Sequence, residues 1–177
     1  MNTQRTPTQK VYAFIDSQNL NLGVKSQGWA LDWRKFRQYL RNKYIVNKAY
    51  LFIGQVAGNE SLYAFLQESG YILIFKPTLE YHQQDTVKIK GNVDAELVLH
   101  TMIQYGNYSK AIIVSGDGDF HCLIEYLEGK GKLYHILTPN KHYSGLLRKY
   151  NHYVIRVDLL RNSLEKKKTK ISVRSKP

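Results

Sequence analysis

Two uninterrupted apolar runs, each closed by aspartate, constrain this chain more than any other feature. The first is VYAFID, Val11 to Asp16, and the second opens the segment AIIVSGDGD, Ala111 to Asp119. Continuous Val- and Ile-rich runs that lead through a turn into a helical pattern mark parallel strands buried on both faces. Such strands belong to open α/β sheets, in which ligands bind outside the carboxyl ends of the strands. Asp16, Asp117 and Asp119 fall at those ends. Gly116 and Gly118 are read as letting the chain turn sharply, bringing the second pair of carboxylates to one spot.

Strand and helix patterns alternate along the rest of the chain. Helices are expected over Asn19 to Gln27 and Asp32 to Asn42, the latter with Trp33, Phe36 and Leu40 at helical spacing and Asp32 as N-cap. A strand over Lys48 to Gln55, a helix over Asn59 to Ser69 with Leu62, Phe65 and Leu66 on its buried face, and a strand over Tyr71 to Phe75 follow. Pro77 to Lys90 is polar and without clear period, and reads as a long loop of the kind that often carries function. It leads into a helix over Val93 to Tyr105, whose core face is read as Ala95, Val98, Leu99 and Met102 and whose start holds Asp94. After the Ala111 to Ser115 strand come a helix over Phe120 to Leu127, a strand over Leu133 to Leu137, a short helix over His142 to Tyr150 and a closing strand over Tyr153 to Val157.

Repeated units of this kind imply one Rossmann-like α/β domain: a mainly parallel central sheet of about five or six strands with helices on both faces. The division expected is an N-terminal arm over residues 1–10, the domain over 11–160 and a basic, flexible tail over 161–177. A length of 177 residues suits one domain with a sizeable core.

Charge narrows the partner. Lys and Arg number 26 against 14 Asp and Glu, a formal net charge of +12, which is the electrostatic footprint of a polyanion binder. Arg161 to Pro177 holds seven Lys or Arg and one Glu, so half of the excess, +6, sits in the tail and +6 remains on the rest. A basic chain that still gathers aspartates in its turns suggests a divalent cation held against a phosphate. Lys88 and Lys90, just before Asp94, are placed to reach that phosphate, and Lys166, Lys167 and Lys168 would add salt-sensitive, nonspecific affinity for a phosphate backbone. The single cysteine, Cys122, excludes an internal disulfide framework and a Cys-rich zinc site, and is read as packing beside a core stripe. No apolar leader or membrane-length stretch is present, so a cytoplasmic protein without a membrane partner is expected.

Every one of these aspartates also has an ordinary role open to it. Asp16, Asp94 and Asp117 all sit where a helix begins, and aspartate is favoured there as a cap and as a partner of the helix dipole. His100 and His121 lack a metal-ligand spacing and read as ordinary imidazoles. The 14 tyrosines serve the core and sheet edges in the same spirit, with base stacking as the functional alternative.

Three motifs, FIDSQN, KGNVDAEL and SGDGDF, in this order and spacing, resemble those of the NYN domain family in its LabA-like branch, within the PIN-like nuclease superfamily; the match runs from Val11 to Asp158. The resemblance implies a PIN-like fold in which Asp16, Asp94, Asp117 and Asp119 gather around Mg²⁺ or Mn²⁺. It further implies ribonuclease activity, with Asn19 supporting the first aspartate and Ser115 the last pair. Two positions depart from the family pattern: His100 and Asn151 stand where relatives carry acidic residues. They keep open a second reading, an RNA-binding regulatory module with a degenerate site. A phosphatase on another Rossmann-like scaffold ranks last, because Asp16 is followed by Ser17 and Gln18 rather than by an acid two residues on. The RNA substrate and the oligomeric state, homodimer included, are left open.

Overall fold

At the centre lies β1 (Val11–Asp16), buried at all six positions. In the computed structural model, which describes residues 9–77, 79–83, 86–90 and 93–167, β1 is flanked on one side by β2 (Val46–Gln55) and β3 (Ile72–Pro77). On the other side lie β6 (Lys110–Val114), β7 (Leu133–Thr138) and β8 (Val154–Arg156). The order is β3-β2-β1-β6-β7-β8 and every pairing is parallel. Chain order therefore reverses between β1 and β6. A reversal of this kind leaves a crevice at the carboxyl ends of the two strands, because their following loops depart to opposite sides.

Alternation along β1 distributes its side chains between two cores. Val11, Ala13 and Ile15 pack with Leu20 and Val24 of α1 (Ser17–Lys25), Phe36 and Leu40 of α2 (Trp33–Tyr44), Leu66 of α3 (Glu60–Glu68) and Leu164 of α6 (Arg161–Leu164). Tyr12 and Phe14 face the other layer, with Leu97 of α4 (Asp94–Ile103) and Leu123, Ile124 and Leu127 of α5 (His121–Gly129). Helices thus cover both faces, as the sheet pattern requires. Among the described residues no helix is long and apolar enough to cross a membrane.

Four sequence readings are corrected. Pro77 to Lys90 is no loop: β4 (Leu79–Gln83) and β5 (Thr86–Lys90) pair antiparallel as a hairpin, with Glu80 opposite Ile89. The buried residues of α4 are Leu97 and Thr101, in line with the N-cap Val93; of the expected face Val98 packs against the core, whereas Leu99 is 58% exposed and Ala95 and Met102 also face solvent. Thr101 fits in the core because its hydroxyl donates to Leu97 O at 2.7 Å and its carbonyl accepts from the Tyr108 hydroxyl at 3.1 Å, so no buried polar group is orphaned. On α3 only Leu66 is buried; Leu62 is exposed. The segment read as a helix from His142 is a run of 3-10 turns over Gly145–Tyr153, kinked at Tyr150.

Candidate active site

Asp16 ends β1 and caps α1: its Oδ1 accepts from Asn19 N at 3.0 Å. At the end of β6, Asp117 caps the 3-10 turn Gly118–Phe120, its Oδ1 accepting from Asp119 N at 3.0 Å. Capping and clustering are therefore not alternatives here, since each carboxylate spends one oxygen on a backbone N–H. Asp94 stands differently. It is the first residue of α4, whose N-cap position is Val93.

A polar network joins the two strand ends. Ser115 Oγ donates to Asp16 Oδ2 at 3.3 Å and accepts from Asp117 N at 3.1 Å. The Asn19 side chain accepts from Gly116 N at 2.9 Å through Oδ1. Asn19 thus supports Asp16 through its backbone and grips the β6 loop through its amide, while Ser115 serves both aspartates rather than the last pair alone. Neither Gly116 nor Gly118 has a positive φ. Space favours glycine there: a Cβ on Gly118 would lie 2.4 Å from Ser144 Oγ, which would have to shift, and one on Gly116 would lie a tight 3.1 Å from Tyr143 Cβ. The sharp-turn reading of these glycines gives way to one of close packing.

The result is a cleft of about 470 Å³ at the switch point, walled by Asp16, Asn19, Asp94, Gly116, Asp117 and Asp119 together with Gln18, Gly23, Pro139, Asn140 and His142. One carboxylate oxygen from each of Asp94, Asp117 and Asp119 lies within 4.8 Å of the other two. Asp16 is recessed behind them and only 5% exposed. Burial first of all, then the charges of Asp94 and Asp117, push its carboxyl up to about 6, against the opposing pull of the Asn19 N–H and the Ser115 hydroxyl. Three hard oxygen donors converging beside a carboxylate under like-charge pressure fit a divalent cation of the Mg²⁺ type, which takes one or two carboxylates and keeps several waters. The donor set passes that test on its chemistry.

The residues that the sequence offered for RNA contact do not all meet here. Lys88 and Lys90 pair opposite Tyr81 and Leu79 in the hairpin backbone, and their side chains lie outside the described residues. Lys166 and Lys167 are exposed after α6, with Lys166 N donating to Ala30 O at 2.9 Å, and neither lines the cleft. Lys168 lies outside the described residues. His100 packs edge-on against Phe52, and Asn151 Oδ1 accepts from the Tyr143 hydroxyl at 2.8 Å, so both departures from the family pattern stand away from the cleft lining. His121 faces Tyr150, and Cys122 is exposed rather than packed.

Sequence reasoning passed over the β7 rim. Asn140 is buried, donates through Nδ2 to Gly23 O at 2.8 Å and accepts through Oδ1 from His142 N at 2.8 Å, so it fastens α1 to the loop after β7. The available signal was Thr138-Pro139-Asn140 directly after an apolar strand, the same strand-end position that marked Asp16.

Comparison with known proteins agrees with this architecture. The family model of the NYN domain matches residues 10–160. Low amplitude and bright protein LabA of Synechococcus elongatus is 26% identical over 161 residues, which cover 86% of either chain. A crystal structure of a protein of unknown function from Vibrio parahaemolyticus superposes with a TM-score of 0.69, at 18% identity, over 94% of this chain and 100% of that one, so the two share a fold.

Proposed function

This chain belongs to the NYN domain family, and from that membership together with the acidic cleft we propose that it is a metal-dependent ribonuclease that hydrolyses RNA phosphodiester bonds. The observation that carries the reading is the convergence of Asp94, Asp117 and Asp119, with oxygens within 4.8 Å of one another, in front of the buried Asp16. These three residues would hold Mg²⁺ or Mn²⁺, which would supply a lowered pKa for a bound water and offset charge on the phosphoryl oxygens.

Each protein group has a task in this scheme. Asp117, which lines the cleft, is oriented by the Asp119 N–H on its Oδ1. Asp16, whose carboxyl is pushed up to about 6 chiefly by burial, is the carboxylate of this cleft suited to accept a proton near neutrality. Ser115 and Asn19 fix the spacing of the two strand ends, and so of the carboxylates. The surplus of positive charge, +12 over the chain, draws the RNA backbone in against the local repulsion of the aspartates. The single exposed Cys122 suits a reducing, cytoplasmic setting.

The test is cleavage of labelled single-stranded and hairpin RNA with Mn²⁺, with and without EDTA, beside the Asp117→Asn protein. The proposal requires metal-dependent cleavage that chelation abolishes and Asp117→Asn removes. Tight, salt-sensitive binding with no turnover at any metal concentration would instead favour the regulatory-module reading.

A further inference from the structure

The carboxyl rim of the sheet holds a second cleft, of about 300 Å³, on the β2 side of β1. Register places it: Asp16 pairs with Phe52, and the next two residues of β2, Ile53 and Gly54, line this cleft. Neighbouring strands lie about 4.8 Å apart, so the second cleft is the next position along the same edge. Gln18 lines both clefts.

Its walls are of a different kind from those of the acidic cleft. Trp33 and Tyr63 supply aromatic surface, and Leu62, 38% exposed, adds an open apolar side chain. Both rings are held in place. Trp33 meets Tyr71 edge-on at 6.0 Å between centroids; the Tyr63 hydroxyl accepts from Val56 N at 2.8 Å and donates to Gly54 O at 3.1 Å. Against these surfaces stand the amides of Gln18, Asn21 and Asn59, for none of which a side-chain hydrogen bond is present among the described residues. Carboxylates are absent from this lining.

Rigid aromatic faces beside unengaged amides are the means by which proteins take up an unpaired base: the ring stacks, and donor and acceptor groups meet the base edge. Resting on the ribonuclease reading above, we propose that this second cleft is a nucleobase subsite, which receives the base next to the phosphate lying at Asp94, Asp117 and Asp119. The occupant is one unpaired base of a single-stranded RNA segment. Trp33 and Tyr63 supply its stacking surface, and Gln18, Asn21 and Asn59 determine which base is preferred. On the far side of Trp33 the strand would meet α2, which carries Arg34, Arg37 and Arg41 around a depression that Glu68 also lines. Positive charge there gives the next phosphates a favourable exit.

The experiment uses the full chain in EDTA and follows tryptophan fluorescence during titration with nucleoside 5′-monophosphates and, in parallel, with ribose 5-phosphate. Trp29 is buried and gives a constant background, so a saturable quench reports on Trp33. Nucleotides should bind roughly tenfold or more tightly than ribose 5-phosphate, as one stacked base implies. Trp33→Leu should lose the quench, and Asn21→Ala combined with Asn59→Ala should flatten the ranking among the four bases; thermal unfolding checks that each variant folds. Equal binding of ribose 5-phosphate and nucleotides, or an unchanged base ranking in the double amide variant, overturns the subsite. A companion cleavage assay in Mn²⁺ separates the two claims. Base-dependent quenching without cleavage leaves the subsite standing and sinks the catalytic reading, cleavage without base dependence does the reverse, and no binding of any probe sinks the subsite.

Discussion

Two charge clusters at opposite ends of the central sheet are built in different ways. At the amino end, Lys132 Nζ donates to the carbonyls of Tyr105 and Tyr108 at 2.6 and 2.7 Å and lies over both tyrosine rings, 4.2 and 4.9 Å from their centroids. Lys110 Nζ likewise donates to Gly131 O, and Lys48 lies over Tyr12. Each cation finds oxygens or a π-face. At the carboxyl end, Asp94, Asp117 and Asp119 face one another and press on a buried Asp16. Cations on oxygens and π-faces hold one end of the fold together, whereas like charges gathered beside a buried carboxylate at the other are an arrangement that a divalent cation would relieve.

Substitutions at the two ends should accordingly separate activity from stability. The largest effect belongs to Asp94→Asn, which removes a proposed metal ligand, expected to cost several kcal/mol at the transition state, on the order of 10²–10³-fold in kcat/KM. Its midpoint of thermal unfolding should stay level or rise, because one repelling charge is gone. RNA cleavage and calorimetric unfolding of the same preparation check both halves.

Next in size is the pH response of the metal-free protein. The Asp16 carboxyl is raised from 3.8 to about 6, so the folded state holds its proton more tightly than the unfolded chain. The resulting stability is fully present below about pH 4 and is lost as pH rises through 6, an effect of roughly 3 kcal/mol. Urea unfolding at pH 4 and pH 7 should show that loss, Asp16→Asn should abolish it, and saturating Mn²⁺ should oppose it at pH 7.

Lys132→Met tests the other end. Two carbonyls lose a charged donor, and stability should fall by about 2 kcal/mol with metal-dependent cleavage unchanged at temperatures where the variant is folded. An equal loss of activity would break the separation between the ends. Ser115→Ala is the smallest perturbation: about 1 kcal/mol of stability and roughly tenfold in activity, because the hydroxyl orients two aspartates without touching substrate.

The fold was legible because its central strands are unambiguous. VYAFID and AIIV carry no polar residue before the closing turn, and the strand-end rule then places Asp16, Asp117 and Asp119 at the crevice. Elements with mixed patterns were harder. On α4 apolar residues occur on more than one face, and the buried stripe contains Thr101, whose hydroxyl is satisfied within its own helix in a way periodicity does not reveal. The hairpin β4–β5 was hidden among polar residues, although Leu79/Tyr81 and Val87/Ile89 do alternate. Asn140 and the second cleft depend on which strands become neighbours. Once Phe52 is known to pair with Asp16, the loop after β2 joins the rim, and Trp33, Asn21 and Tyr63 acquire a common surface that sequence spacing alone could not assemble.

The most direct test of the central claim is calorimetric titration of Mn²⁺ into the metal-free protein, beside Asp94→Asn, at pH 5 and pH 7. Saturable binding that is stronger at pH 7, releases protons, and is lost in Asp94→Asn is the expected result. Absence of binding, or equal binding by wild type and variant, would contradict a cation held by the aspartates at the carboxyl end of the sheet.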